Sequence, residues 1–287
     1  SGCQMRKASG FLHLPVGLVF FALFASYVVF FFSSLATLQP GGIIYGPPLG
    51  IHNYIQYLNN PAELNILFFT VYYSLFVTLI VALIGYPIAY FLVRTEKKWL
   101  RSIVLGVIVV SFFSGTVPRA YSWVVLLGNN GMVNQTLVAL GLIERPVRLI
   151  YNLVGVTVGL VHFLLPYFVF TMLGALKNLS RDYEEAARDL GAGSIRVVIR
   201  VLLPLSLSGL LVAGTLVYSL ALSAFVIPLL LGGGRVSLVS NAIYRQISIN
   251  FDLPYAAAAS AIYLLVAIVT IGLAMGLQRQ IAKWRAS

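Results

Sequence analysis

The sequence predicts an all-α membrane protein with six transmembrane helices, built as a single domain from the whole chain. Of its 287 residues, 60% are hydrophobic and only 9% are charged, too few charges to cover a water-facing surface. Six uncharged runs are long enough to cross the hydrocarbon core of a bilayer, which takes about 20 residues in a helix. They are residues 14–38, 64–93, 102–118, 149–176, 201–231 and 253–278.

The first run is predicted to be a retained span and not a cleaved signal peptide, because it is about 25 residues long and no site of small residues follows it. The single cysteine, Cys3, precedes this run and leaves no partner for an internal disulfide. Pro87, Pro166 and Pro228 lie within the second, fourth and fifth runs. We expect each of them to bend its helix, with the freed carbonyl satisfied locally.

A seventh uncharged run, residues 120–143, follows the third predicted span. Gly128, Asn129, Asn130 and Gly131 interrupt it, and Asn134 and Gln135 come next. Unpaired polar groups at membrane depth cost several kcal/mol. The run is therefore predicted to form two short helices at the outer surface.

The loop between the fourth and fifth spans, residues 177–200, holds four of the eight acidic residues of the chain. Its first helix is predicted to start with a capping box of Asp182 and Glu185 and to end at Gly191. One apolar stripe, at i, i+3, i+4 and i+7, consists of Tyr183, Ala186, Ala187 and Leu190. The other face is polar and consists of Glu184, Glu185, Arg188 and Asp189.

A second short helix is predicted to follow, with Ser194 as its cap and Pro204 at the start of the fifth span. Its apolar stripe consists of Ile195, Val198, Ile199 and Leu202. Neither helix is long enough to be stable alone in water, so each must dock onto another surface. That surface is either the bilayer and the protein's own bundle, or a partner.

The distribution of basic residues predicts the topology. With a cytoplasmic N-terminus, six spans place fourteen of the nineteen Lys and Arg residues on the cytoplasmic side. The other five are Arg119, Arg145, Arg148, Arg235 and Arg245. This bias follows the positive-inside rule, so both termini are predicted to be cytoplasmic. It also explains the net charge of +11 without a nucleic-acid partner.

The string EAARDLG, followed by nine residues and VLLP, resembles the EAA loop of permease subunits from binding-protein-dependent ABC importers. That family pattern is EAA, three residues, G, nine residues, I, one residue, LP. The matching positions are Glu185, Ala186, Ala187, Gly191, Leu203 and Pro204. Val201 stands in place of the usual isoleucine, a difference of one methylene group.

The resemblance extends from about Leu12 to the C-terminus. The strings NYIQYLNNP, GYPIAYFLVR, RAYSWVVLLGNNGMVN and FVIPLLLGGG are similar to the first permease subunit of spermidine/putrescine-type importers. The resemblance implies a type I importer (MetI-like) permease fold, with an outer first helix, a five-helix core and a cytoplasmic coupling helix. It implies a non-catalytic subunit of the bacterial inner membrane.

The resemblance also implies partners. They are a second permease in a heterodimer, two copies of a cytoplasmic ABC ATPase and an extracytoplasmic solute-binding protein. No G-x-x-x-x-G-K-[ST] motif is present, so we expect no cofactor in this chain and ATP and Mg on the ATPase. The residues expected to couple to the ATPase are Glu184, Glu185, Ala186, Ala187, Asp189 and Gly191.

The substrate path is less determined by the sequence. The solute implied by the resemblance is a polyamine or a related amine, which needs carboxylates or aromatic faces to offset its lost hydration. No Asp or Glu lies in the six predicted spans, so the expected path residues are Arg119, Tyr121, Trp123, Tyr218 and Phe225. Because Arg119 would suit an anionic or zwitterionic solute, a phosphonate or an amino acid is the alternative. His162, in the fourth span, is expected to be a neutral side chain that donates to a helix carbonyl.

Two other classes compete with an importer subunit. A secondary transporter driven by an ion gradient would usually show two related halves and charged residues at mid-membrane, and neither is visible. An intramembrane hydrolase would need a nucleophile or metal motif, and HExxH, CxxC and GxSxG are all absent.

Overall fold

A computed structural model describes residues 2–38 and 45–286, with side-chain detail for residues 17–22, 24–38 and 46–280. Cys3 therefore has no described side chain. Fourteen helices and one short antiparallel sheet make up the described residues. In the first half, α1 is Gly2–Ser34, β1 is Thr37–Leu38, β2 is Tyr45–Gly46, α2 is His52–Leu58, α3 is Pro61–Arg94, α4 is Lys98–Phe113, α5 is Thr116–Leu127 and α6 is Met132–Ala139. In the second half, α7 is Leu153–Lys177, α8 is Asp182–Asp189, α9 is Ser194–Val197, α10 is Leu203–Leu205, α11 is Leu207–Leu222, α12 is Val226–Gly232, α13 is Val239–Ser248 and α14 is Leu253–Ala286.

Four of the described helices are long and apolar enough to cross a membrane. They are Gly17–Ser34 within α1, the whole of α3, the whole of α7, and Leu253–Gln280 within α14. Two bent helix pairs meet the same test when each is counted as one span, which gives six; they are Lys98–Phe113 with Thr116–Ala139, and Ser194–Leu205 with Leu207–Leu222. The prediction of a helical protein with up to six spans is thereby confirmed.

The third predicted span, residues 102–118, is wrong at its C-terminal end. Helix α4 already ends at Phe113, and Gly115 is the N-cap of α5. The chain bends by 108° at this break. Pro118 lies in the first turn of α5, where a missing N–H costs nothing. The break therefore lies within one apolar run, and composition alone does not reveal it.

The fifth predicted span, residues 201–231, is not one helix. It bends by 75° at Ser206 and ends at Leu222, and α12 starts only at Val226. A π-helical turn, Val198–Leu202, directly precedes Pro204, whose missing N–H removes one regular α-helical hydrogen bond. Pro228 lies in the first turn of α12, so it belongs to a new helix and does not bend a continuous one.

The two short helices predicted between residues 120 and 143 are present as α5 and α6, although α5 begins four residues earlier than expected. The fully buried Asn134 side chain donates to the carbonyls of Gly128 and Val147, both at 3.0 Å. Its Oδ1 accepts from the Val147 amide, also at 3.0 Å. Asn134 thus satisfies the polar backbone that interrupts this apolar run.

The described chain divides into two units. In the first, residues up to 65 together with 242–265, Asn53 Nδ2 donates to the carbonyls of Ser34 and Ala36 at 3.0 and 2.8 Å. Tyr54 and Ser34 share a 2.6 Å hydrogen bond between their hydroxyls. These contacts hold α2 against the end of α1.

The second unit, residues 66–241 together with those from 266 on, has its core on α7. Side chains of α3, α7 and α11 pack together there and are almost fully buried; they include Val77, Val81, Leu160, Leu164, Phe168, Met172, Ala213 and Val217. Two hydroxyl pairs cross between helices, Tyr73 with Thr157 at 2.9 Å and Tyr86 with Ser206 at 3.0 Å. Each pair satisfies polar groups within an otherwise apolar core.

Candidate functional site

Helix α8 and the turn after it form the loop that the sequence singled out. Gly191 has a φ of +83°, the left-handed region that favours glycine. The Gly191 amide donates to the Arg188 carbonyl at 2.8 Å, and the Ala192 amide donates to the Ala187 carbonyl at 3.0 Å. These two bonds make a Schellman motif, so the predicted C-terminal glycine is confirmed.

The predicted N-terminus of α8 is wrong by one residue. Asp182 is the first residue of the helix and Arg181 is its N-cap, without a side-chain cap. The Asp182 amide donates a hydrogen bond to Ser180 Oγ at 3.2 Å. The Asp182–Glu185 capping box is therefore absent. Three carboxylates, those of Asp182, Glu184 and Glu185, still lie in the first turn, where the helix dipole favours them.

Most of α8 is exposed. Tyr183, Glu185, Ala186 and Asp189 are exposed, Ala187 is half-buried, and Leu190 is 90% exposed. Ile195 on α9 and Ile199 in the π-helical turn are also exposed. We call the set Tyr183, Glu185, Ala186, Leu190, Ile195 and Ile199 the coupling surface.

Ser194 is the first residue of α9 and not its cap, because Gly193 occupies the N-cap position. Of the predicted stripe, Leu202 is buried and Val198 is half-buried, whereas Ile195 and Ile199 are exposed; Val197, which lies outside the stripe, is buried.

Glu184 differs from its neighbours on α8, because it is only 6% exposed. Its Oε1 accepts a hydrogen bond from Arg94 Nε at the end of α3. Its Oε2 accepts from the Tyr90 hydroxyl at 3.0 Å. The sequence placed Glu184 on the open polar face, and no local pattern identifies a partner 90 residues away.

Arg119, expected in the substrate path, is buried at the break between α4 and α5. Its guanidinium donates to the carbonyls of Ser111, Phe112, Ser114 and Phe163, and its Cζ lies 5.2 Å from the centroid of the Phe163 ring. The last carbonyls of a helix have no partner within it. The Arg119 side chain supplies donors for those of α4 and complements the helix dipole.

Trp123 and His162 lie beside Arg119. Trp123 Nε1 donates to His162 Nδ1 at 3.1 Å, and His162 Nε2 lies 3.4 Å from Ser111 Oγ. His162 is therefore bonded to side chains, and the expected bond to a helix carbonyl is absent. Arg119, Trp123 and His162 line one cavity of about 580 Å³.

The other expected path residues lie elsewhere. Tyr121 is exposed, and Tyr218 is buried on α11. Phe225 lines a separate cavity of about 210 Å³ together with Phe163. Its carbonyl accepts from Asn241 Nδ2 at 3.1 Å, which holds the break before α12. Of the five residues, the structure thus brings only Arg119 and Trp123 together.

Among the described residues, no group of three or more His, Cys, Asp or Glu side chains could hold a metal ion. The cavity lined by Arg119 and His162 contains no carboxylate among its lining residues. What it offers a solute is hydroxyl groups, aromatic faces and one buried guanidinium.

Comparisons with known proteins agree with this architecture. Residues 83–285 match the family described as the inner membrane component of binding-protein-dependent transport systems. The chain is 33% identical, over 85% of its length and 84% of the relative's, to the spermidine/putrescine transport system permease protein PotB of Haemophilus influenzae. It is 32% identical to the protein of the same name from Escherichia coli, over 83% and 82% of the two lengths.

Solved structures show the same fold. A bacterial ABC transporter involved in the import of the acidic polysaccharide alginate superposes with a TM-score of 0.74 at 19% identity, covering 94% of each chain. The MetNI methionine ABC transporter in an inward-facing conformation gives a TM-score of 0.56 at 18% identity, covering 77% of this chain and 99% of the other. With its apolar helices and this match, the chain is a multi-pass inner-membrane protein, and it belongs to the family of inner membrane components of binding-protein-dependent transport systems.

Proposed function

We propose that this non-catalytic permease subunit forms half of the channel of an ATP-driven importer. A second, different permease forms the other half, and an extracytoplasmic binding protein delivers the solute. Two copies of a separate cytoplasmic ATPase bind ATP and Mg and supply the energy. The names of the relatives support this assignment, and one similar structure is an alginate ABC transporter in complex with a pentasaccharide-bound periplasmic protein.

The observation that carries the proposal is the coupling surface. Leu190, Ile195 and Ile199 are large apolar side chains that the chain leaves exposed, and the Glu185 carboxylate is exposed on α8, the helix that ends just before Leu190. An exposed apolar patch rimmed by polar groups is typical of a protein interface. The carboxylates around it make burial in lipid costly. A soluble ATPase subunit would cover the exposed apolar side chains and would keep the carboxylates out of lipid.

Docking can be tested by cross-linking. A cysteine introduced by Ala186→Cys, in a Cys3→Ser background, should form a cross-link with the co-expressed ATPase. Glu185→Lys should keep the protein in the membrane but abolish ATP-dependent uptake, because it reverses the charge at the joint. Glu144→Lys, the same change at another exposed carboxylate, is the matched control and should not alter uptake. Normal uptake by Glu185→Lys would contradict the assignment.

The solute that we propose is a polyamine or a related amine. The relatives named above are spermidine/putrescine permeases, and Trp123 and Phe163 offer aromatic faces next to the two cavities. Neither of these two cavities has a carboxylate among its lining residues, so the partner permease and the binding protein must supply the negative charge. Calorimetry of the binding protein against spermidine, putrescine, amino acids and phosphonates tests this directly.

A specific observation favours the alternative solute, an anion or a zwitterion. The one charged side chain in the larger cavity is Arg119. One further relative, 28% identical over 53% of this chain, is named as a putative 2-aminoethylphosphonate transport system permease of Salmonella typhimurium. Tight calorimetric binding of a phosphonate, with none of spermidine, would establish this alternative.

An ion-gradient-driven transporter remains the rival mechanism. Liposomes that contain the purified assembly separate the two. Uptake that requires ATP inside the liposome and persists with a proton ionophore supports the importer. Uptake without ATP that collapses with the ionophore would overturn it.

A further inference from the structure

The buried carboxylate of Glu184 links α8 to the end of α3. Tyr90 and Arg94 lie four residues apart and therefore on one face of the last turns of α3. Each of them donates to a different oxygen of Glu184. We call Tyr90, Arg94 and Glu184 the α3–α8 joint.

Further bonds strengthen the attachment at the same place. Arg94 Nη2 donates to the Leu179 carbonyl, just before α8, at 3.2 Å. Arg181 and Glu96 form a second ion pair at 3.3 Å between the same two segments. That second pair is exposed, with Glu96 83% accessible, so it contributes little to the attachment. The buried joint is the one that fixes the position of α8.

Other elements do not hold α8 on its outer face. The helix is only eight residues long, and its large apolar side chains, Tyr183 and Leu190, are exposed. Its chain continues through Gly191 to α9 and, past the π-helical turn, to α11. The chain itself and close contacts with α9 and the π-helical turn therefore connect α8 to α11, whereas the side chains of the joint connect it to α3.

A buried ion pair is weak evidence for stability, because desolvation offsets the Coulomb attraction. What such a pair does well is to fix geometry, since each group finds its partner only in one arrangement. A force on the exposed face of α8 would thus be carried to the 34-residue helix α3.

We propose that the α3–α8 joint makes Glu184 and Arg94 positioning residues for transport: they make α3 move as one body with the ATPase-docked coupling helix. This inference rests on the proposed function. Glu184 then acts inside the permease, while Glu185, one residue later, acts at the ATPase. The two neighbouring carboxylates have separate tasks because Glu184 is buried against α3, whereas Glu185 is exposed.

The first test measures whether the two helices move together. Spin labels are placed by Lys97→Cys, three residues beyond the end of α3, and by Arg188→Cys, on α8, in a Cys3→Ser background of the complete importer in liposomes. The distance between the labels should stay the same in the nucleotide-free and ATP-bound states. With Glu184→Gln added, it should differ between the states, because one charge of the buried pair is lost.

The second test measures coupling. In Glu184→Gln, spermidine uptake per ATP hydrolysed should fall roughly tenfold, while the Ala186→Cys cross-link to the ATPase keeps its yield. Glu96→Gln makes the same chemical change in the exposed pair and should leave the ratio as it is. Reversal of the pair, Arg94→Glu with Glu184→Arg, should restore much of the lost coupling. A merely structural role would lower the amount of assembled complex without changing uptake per ATP.

These outcomes separate the joint from the proposed function. If the cross-link to the ATPase is absent from the parent protein, the proposed function fails. If the cross-link forms, and Glu184→Gln shows an unchanged label distance and an unchanged uptake per ATP, the joint has no positioning role. Should Glu184→Gln fail to assemble, Tyr90→Phe keeps the ion pair and removes one hydrogen bond. A loss of uptake per ATP of about twofold is expected there, and no loss would equally overturn the inference.

Discussion

At the scale of single residues, Arg119 is a buried charge whose role is to stabilise the fold. The guanidinium donates to carbonyls of α4 and α7 and lies over the Phe163 ring, at a break where the helix would otherwise leave carbonyls unpaired. We predict that Arg119→Met lowers the free energy of unfolding by roughly 2–4 kcal/mol, since the buried acceptors lose charged donors.

The measurement is thermal unfolding of the detergent-solubilised protein, with exposed Arg145→Met as the matched control. Arg119→Lys should rescue only part of the loss, because an ammonium group cannot reproduce the planar fork of guanidinium donors. If Arg119 instead bound the solute, its loss would raise the KM for uptake while the unfolding transition stayed in place.

Gly191 and Gly193 form a matched pair for a second prediction. Gly191 has a φ of +83°, whereas Gly193 has an extended backbone, and a Cβ at either position would meet no other atom. Gly191→Ala should therefore strain the turn by about 1–2 kcal/mol and reduce uptake, while Gly193→Ala should be tolerated. Hydrogen exchange of the α8 amides, together with uptake, measures both effects. Equal behaviour of the two variants would show that the left-handed turn does not matter.

At the scale of elements, the packing of α7 against α11 depends on small residues. A Cβ at Gly209 would overlap the Cβ of Ala175 on α7, whereas a Cβ at Gly214 would only touch Thr78 at 4.0 Å. We predict that Gly209→Ala destabilises the protein by roughly 1–3 kcal/mol, as overpacking does, and that Gly214→Ala is nearly neutral. Thermal unfolding of the two variants decides the matter, and a similar transition in both would show that the helices can move apart freely.

The elements also show what a sequence can and cannot predict here. Uncharged runs located the unbroken helices α3, α7 and α14 to within a few residues, except at the C-terminal end of α14, because composition controls membrane insertion. The breaks at Ser114 and Ser206 were missed, since their causes are a buried arginine and a π-helical turn before a proline. Gly191 was predictable because its constraint is local. The burial of Glu184 was not, because its partners come from a distant helix.

At the scale of the whole molecule, the chain is a non-catalytic permease, and ATP hydrolysis belongs to a separate ATPase. Its number of membrane crossings depends on the two bent pairs. Helix α4 has 16 residues and is therefore about 24 Å long, shorter than the roughly 30 Å of hydrocarbon. It crosses only if α5 completes the path after the 108° bend. Helix α11 is also 16 residues long, so it too is shorter than the hydrocarbon core and crosses only together with the helices that precede it.

Cysteine labelling resolves this, because Lys97 lies just before α4, Asn130 lies shortly after α5, and both are exposed. In a Cys3→Ser background, we predict that Asn130→Cys reacts with a membrane-impermeant maleimide in intact spheroplasts and that Lys97→Cys reacts only after permeabilisation. The physical reason is the positive-inside rule, which places the cluster Arg94, Lys97, Lys98 and Arg101 in the cytoplasm. Labelling of neither position before permeabilisation would make the pair a re-entrant loop with both ends in the cytoplasm. Helix α7 would then carry the chain to the outside, and the coupling surface that follows it would face the wrong side of the membrane, so the proposed ATPase docking depends directly on this result.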